Sequence, residues 1–458
     1  MADQYDLLVI GAGPGGYACA FRAADLGLSV TLVDARDRLG GVCLNEGCIP
    51  SKALLHAAEI IREAQPMADW GISFGKPKLD LDALRAKKDE IVGHLTGGLT
   101  GLAGRRKVTT LQGKATLTGP NSAEIDGTEI RFDKAVIAVG SAPVQLPGWP
   151  EDDRIWDSTS ALELRDVPKT LAIVGGGIIG LEMATVYSAL GAEVTVVELA
   201  NQIAPGADPQ AVAILRNALE AEGITIHTGT QVTEVATTEA TVTLTCTGAF
   251  EGQIKAKAVI QSVGRRANGD KVGAEAAGLS VSDRGVIEAD ATGATDVPSI
   301  FAIGDVTGNP MLAHRATHQG HIAAEVIAGH RAALETTLIP SVAYTSPELA
   351  WVGLTEAQAK AEGRTVKATS FPWAASGRNL ASGGRDGLTK LVYDPATNRL
   401  LGASIVGRNA GELLAEVTLA IEMGARLDDI GLTIHAHPTL SETIAFAAER
   451  ALGALTDL

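Results

Sequence analysis

The sequence predicts an α/β protein: two Rossmann-like dinucleotide-binding units followed by a C-terminal α+β domain. Three observations carry this reading. A strand–glycine turn–helix–strand–acid pattern occurs twice, its two copies stand at a constant offset, and the pattern gives way to different grammar near residue 338. At 458 residues the chain is about three domains long, at roughly 150 residues per domain.

The first copy begins with an apolar strand over residues 5–10, then GAGPGG, the helix-period stretch YACAFRAADLG, and LSVTLVD, a second buried strand ending in an acid. The second copy reads TLAIV, GGGIIG, LEMATVYSALG and AEVTVVE. Gly11, Gly13, Gly16 and Asp34 correspond to Gly175, Gly177, Gly180 and Glu198, each 164 residues further on. A lone G-x-G-x-x-G is weak, but two complete units with matching acids are specific. The first glycine permits the turn, the second lets backbone N–H groups approach a pyrophosphate, and the third lets helix pack on strand. Two dinucleotides are implied.

Between the copies, RFDKAVIAVGSAP ends a strand in a glycine turn, and Pro143, Pro147 and Pro150 then break regular structure. This places the first domain at 1–150 and the second at 151–272. A central segment, 273–338, contains IFAIGDV, where Asp305 follows a buried strand and a glycine, well placed to take the hydroxyls of a sugar alcohol. The final domain, 339–458, alternates the strand-like YTSPELAWVG, KLVYD and LGASIVG with the helical AGELLAEVTLAIEMG.

Composition narrows the function classes. Hydrophobic residues make up 46% and charged residues 20%, as in a globular protein. The net charge of −16, with no basic run longer than Arg105-Arg106-Lys107, disfavours nucleic acid and anionic membrane as partners. The start MADQYDLLVI lacks the basic stretch and long apolar core of a signal peptide, and four cysteines make no disulfide scaffold, so a cytoplasmic, reducing compartment is expected. The apolar stretch 171–197 is broken by Gly175, Gly176, Gly177, Gly180 and Glu182, so no membrane span is expected.

GGVCLNEGCIPSK places Cys43 and Cys48 just after the first unit. On a regular helix their Cα atoms would be about 8.6 Å apart, beyond the roughly 6.8 Å limit of a disulfide. Bonding requires an irregular segment, which Gly47 and Pro50 allow. Two packed thiols and half a metal site are the other readings, although no second cysteine pair is present to complete a zinc site. A redox-active disulfide is favoured by Lys52 and a following helix N-terminus, both of which promote a thiolate. Cys19 and Cys246 fit as packing residues. Near the C-terminus TIHAHPTLSE offers His435 and His437, with Pro438 suited to a first helical position and Glu442 one turn in. A carboxylate on one imidazole nitrogen would fix the tautomer for acid/base work, but alone the pattern suits a structural histidine as well.

Taken together, GAGPGGY, GGVCLNEGCIPSK, GGGIIGLE, IFAIGDV, MLAHRA and HAHPTLSE, in this order and spacing, resemble the pyridine nucleotide–disulfide oxidoreductases over essentially the whole chain. The resemblance implies FAD on the first unit, completed by Asp305 and by Ala313 of MLAHRA, and NAD on the second. It implies Lys52 beside the flavin ring, paired with Glu182, and a C-terminal dimerisation domain in a homodimer. Within the family the match is to the branch that oxidises protein-bound dihydrolipoamide as the flavoprotein subunit of a 2-oxoacid dehydrogenase or related complex, its partner a lipoylated acyltransferase or carrier protein. The resemblance then makes Cys43 the thiol that exchanges with substrate, Cys48 the thiol facing the flavin, and His437, oriented by Glu442, the base; no metal is implied. NADPH-preferring members call for basic residues beyond the second βαβ strand, where this chain has Glu198 and no Lys or Arg before Arg216. Members with a C-terminal cysteine pair are excluded, since no cysteine follows Cys246. Two departures stand out. Asp34 occupies a position where Glu is common, and Glu46 one where an apolar residue is common, between the cysteines, where it would act to raise the thiolate pKa or the disulfide potential.

Overall fold

The computed structural model describes residues 4–456 apart from 337 and 385. Two compact units are present. One comprises the chain up to Ala53, Leu81–Val144 and Gly264–Glu335; the other comprises Leu54–Asp80, Gln145–Val263 and the chain from Thr336 onward.

The first unit is built on strand β1 (Gln4–Ile10), helix α1 (Pro14–Asp25) and strand β2 (Val30–Asp34). β1 lies parallel to β2 on one side and to Thr128–Ile137 on the other, and Ile300–Ala302 adds a further parallel strand to Thr128–Ile137. Residues 7–10 are buried on both faces, as parallel strands sandwiched between layers must be. Leu7 and Val9 join a core with Cys19, Ala20 and Ala323, while Leu8 and Ile10 join another with Leu117, Ile130 and Ile300. On the first of these faces α1 meets the helix Ala313–Ile327 almost backbone to backbone. A Cβ on Gly320 would lie 2.4 Å from the Gly15 carbonyl oxygen. Arg22 closes the pair by donating from Nε to Glu325 Oε1 at 2.8 Å.

The second unit repeats the plan. Thr225–His227, Glu193–Val197, Thr170–Val174, Ala258–Gln261 and Ile155–Trp156 form a parallel sheet, with Ile178–Ala189 as the helix after the glycine turn. An antiparallel sheet of Ser341–Ala343, Glu348–Gly353, Leu400–Gly407, Leu388–Tyr393 and Lys367–Pro372 then carries the C-terminal region. Helices Ala410–Glu422 and Glu442–Leu452 bury Leu414, Val417, Ile444 and Ala447 against Phe371 and Trp373. The alternating pattern read from the sequence is the one observed.

The C-terminal sheet is tied to the nucleotide-binding part of this unit by a buried charge. Lys390 Nζ donates to Asp208 Oδ2 at 2.8 Å, with side chains only 8% and 3% exposed, and also pairs with Glu356. Asp208 additionally caps the helix Pro209–Ala221 through the Gln210 N–H. Removing one partner leaves the other charge buried, at a cost of about 3–5 kcal/mol. Lys390→Ala is therefore expected to lower the urea midpoint of this unit by that equivalent; a change under about 1 kcal/mol would show that water takes over the pairing.

Candidate functional site

Each glycine turn is shaped by positions where a side chain cannot fit. Gly11 has φ +102°, and a Cβ there would lie 2.4 Å from the Ala138 carbonyl oxygen; one on Gly16 would lie 1.8 Å from that of Gly11. In the second unit Gly175 has φ +110° with Ser262 O at 2.3 Å, and a Cβ on Gly180 would lie 2.0 Å from Gly175 O. The middle glycines differ. Gly177 has open space around its Cβ position, and Gly13 meets only Gly41 Cα, at 3.9 Å. Both are N-caps without a side-chain cap, so the first N–H groups of each helix point at that space. A diphosphate fits this donor set, drawn by the helix dipole.

The acid after each second strand holds its turn in the same way. Asp34 Oδ2 accepts from Ala12 N at 2.7 Å and Oδ1 from Arg36 N at 2.9 Å; Glu198 Oε2 accepts from Gly176 N at 2.6 Å and Oε1 from Ala200 N at 2.7 Å. Each oxygen keeps a lone pair for a ribose hydroxyl. Asp305 lies in the turn Gly304–Thr307 after the strand Ile300–Ala302, where it accepts from the Ser141 hydroxyl. Arg265 Nε in turn donates to Ser141 Oγ at 2.7 Å. Ser141 and Arg265 were not found from the sequence, because only the antiparallel pairing of Ser141–Pro143 with Arg265–Ala267 brings them together. Ala313 opens its helix behind the uncapped Leu312.

The dithiol segment is irregular where bonding requires it. Helix α2 (Gly41–Glu46) carries Cys43 and stops at Gly47 (φ −142°, ψ −111°); helix α3 (Cys48–Ala64) then starts on Cys48. Both cysteines are free thiols, and their side chains hydrogen-bond to each other. That bond, followed by burial and the charge of Cys48, pushes the Cys43 thiol up, and Lys52 acts in the opposite direction. The Tyr17 hydroxyl on α1 is raised as well, by burial and then by the charges of Cys43 and Cys48. Cys19 and Cys246 are buried in cores, as packing residues are. Lys52 lies on α3 in the first unit and Glu182 in the second, where the Glu182 carboxylate is buried and accepts from Tyr344 N. Among the described residues no three His, Cys, Asp or Glu side chains group as metal ligands. No described helix is long and apolar enough to cross a membrane.

The histidine segment departs from expectation in one respect. Pro438 does not open the helix, which begins four residues later at Glu442, since Ser441 stands at the N-cap and the chain before it is non-helical. Glu442 nevertheless reaches His437. Oε1 meets Nδ1 at 2.8 Å, and Oε2 accepts from Thr439 N at 2.8 Å. The imidazole is 80% exposed, which leaves Nε2 for proton exchange. His435, indistinguishable from it in sequence, is otherwise engaged. Its Nδ1 faces Thr433 O at 2.9 Å and its Nε2 faces Glu416 Oε1 at 2.7 Å, an arrangement satisfied in full only by the doubly protonated ring.

Burial works to lower the His435 pKa, but the hydrogen bonds to Glu416 and Thr433 and the charges of Glu416 and Glu442 leave it raised overall. A raised folded pKa gives stability that is complete below the unfolded value of about 6.5 and is lost as pH rises through the folded one. Wild type is therefore expected to lose more Tm than His435→Gln between about pH 6 and pH 9. Parallel Tm profiles would remove the ion pair from the account.

Comparison with known proteins adds the following. Residues 5–320 match the pyridine nucleotide-disulphide oxidoreductase family, and residues 339–448 its dimerisation domain. A dihydrolipoyl dehydrogenase of Vibrio cholerae is 51% identical, over 99% of this chain and 96% of its own. One of Haemophilus influenzae is 51% identical over the same shares. Among solved structures, the HOCl-induced flavoprotein disulfide reductase RclA from Escherichia coli superposes with TM-score 0.87 at 26% identity, covering 97% of this chain and 99% of its own.

Proposed function

The chain belongs to the pyridine nucleotide-disulphide oxidoreductase family, and we propose that it oxidises protein-bound dihydrolipoamide to lipoamide and reduces NAD, through a disulfide formed by Cys43 and Cys48. The observation that carries this reading is the break at Gly47, which lets Cys43 on one short helix meet Cys48 at the start of the next, so that the pair can close and open. Full-length relatives named dihydrolipoyl dehydrogenase support the substrate.

Gly11, Gly13, Gly16 and Asp34, with Asp305, Ala313 and Lys52, would hold FAD, and Gly175, Gly177, Gly180 and Glu198 would hold NAD. Bound FAD supplies the acceptor for the electron pair of the dithiol and its donor to NAD. The chain's own part is thiol exchange. His437 Nε2 takes the proton of a substrate thiol, and Glu442 on Nδ1 stabilises the imidazolium that forms. The substrate sulfur attacks Cys43 Sγ, the disulfide breaks, and Cys48 leaves as a thiolate at a helix N-terminus, where the dipole favours it. The second substrate thiol then displaces Cys43, its proton passing to the Cys43 sulfur, which releases lipoamide and leaves a Cys43 thiol with a Cys48 thiolate. The Glu198 carboxylate repels a 2′-phosphate, in keeping with NAD. The partner is a lipoylated acyltransferase or carrier protein of a multienzyme complex.

Cys43→Ser is expected to keep FAD bound while lowering dihydrolipoamide-dependent NADH formation by at least about a thousandfold, since no thiol remains to accept the substrate sulfur. Turnover at a comparable rate would overturn the disulfide route.

The dimerisation-domain match supports a homodimer. In it, His437 and Glu442 of one subunit serve the cysteines of the other. Co-expressed Cys48→Ser and His437→Gln subunits, each inactive alone, should then recover roughly a quarter of wild-type activity, because half the randomly paired dimers are mixed and each mixed dimer has one intact site. No recovery would place each site within one subunit.

A further inference from the structure

Glu46 lies three residues beyond Cys43 on α2, so the two share a helix face. A bare carboxylate in that position works against a thiolate. The carboxylate is not bare. Arg36 grips it with both arms of its guanidinium, Nε to Oε1 at 3.3 Å and Nη2 to Oε2 at 3.0 Å. Arg36 is itself fixed at the end of β2, where its backbone N–H donates to Asp34 Oδ1 at 2.9 Å. At the thiols themselves Lys52 on α3 favours the Cys43 thiolate, and Tyr17 on α1 feels the charges of both cysteines.

We propose that Arg36 is a positioning residue for the dithiol: it neutralises Glu46 and so keeps a carboxylate on the thiol-bearing helix from suppressing thiolate formation at Cys43. The inference rests on Cys43 and Cys48 being the reactive pair, and it concerns charge rather than mechanical bracing. Because the ion pair is neutral as a unit, removing either partner exposes the other. The two single changes must therefore act in opposite directions, and the double change must cancel them.

The test reads thiolate directly, without NAD or dihydrolipoamide. The reduced holoenzyme is alkylated with iodoacetamide at fixed pH below the thiol pKa, and the rate at Cys43 is followed by peptide mass. Relative to wild type, Arg36→Gln is expected to slow alkylation by about threefold to tenfold, Glu46→Gln to speed it by about twofold or more, and the double variant to return within about twofold. Arg36→Lys, which keeps the charge without the fork, should stay near wild type. Should Arg36→Gln not fold, the acceleration in Glu46→Gln decides alone. Single variants that shift in the same direction, or that do not shift, would overturn the proposal, the first by showing a mechanical brace. Retained turnover in Cys43→Ser would instead sink the disulfide mechanism and leave these rates as they are.

Discussion

A Cβ on Gly41 would stand 2.5 Å from Gly13 Cα, with Gly41 at φ +57° and the neighbouring Gly40 N–H bonded to Ala12 O at 2.8 Å. The helix that carries Cys43 is thus seated directly on the glycine turn that precedes α1. Neither can move without the other, because no side chain separates the two backbones. A substitution at Gly41 would displace the glycine turn and the thiol-bearing helix together. The spacing from that contact to the break at Gly47 is what brings Cys43 to Cys48.

The same economy governs the two acids. Asp34 and Glu198 each spend both carboxylate oxygens on backbone N–H groups of their own turns before any ligand arrives. Preorganisation of this kind removes the entropy of ordering the loop from the cost of binding. It also accounts for the tolerance of Asp at residue 34: the shorter side chain still reaches Ala12 N at 2.7 Å, as Glu198 reaches Gly176 N at 2.6 Å.

What the sequence disclosed follows physical periodicity. The glycine turns, the acids and the alternating C-terminal strands were legible because each is a local pattern with one structural solution. The helix Leu81–Arg105 was not, since Gly93, Gly97, Gly98, Gly101 and Gly104 erase its propensity and most of its surface is exposed, leaving no apolar stripe to read. The start of the last helix was misjudged because a proline preference was weighed over an N-cap three residues on, at Ser441. Arg36–Glu46, Ser141–Arg265 and the separate fates of His435 and His437 are tertiary facts. In each case the partner is chosen by how strands and helices pack, which no window of sequence contains.

His435 and His437 also show how one short loop holds two histidines in opposite ways. His435 is fixed at both nitrogens, so that it anchors the loop to the helix Ala410–Glu422, while His437 is held at one and left open at the other. Beside them in the chain stand Leu432 and Ile434, 82% and 98% exposed. Each such side chain gains about 1.5–3 kcal/mol when fully buried. These exposed apolar side chains lie within the span, residues 339–448, that matches the family's dimerisation domain. Held through Nδ1 by Glu442, the His437 ring keeps a fixed orientation while the side chain stays 80% exposed, the opposite of the closed arrangement at His435.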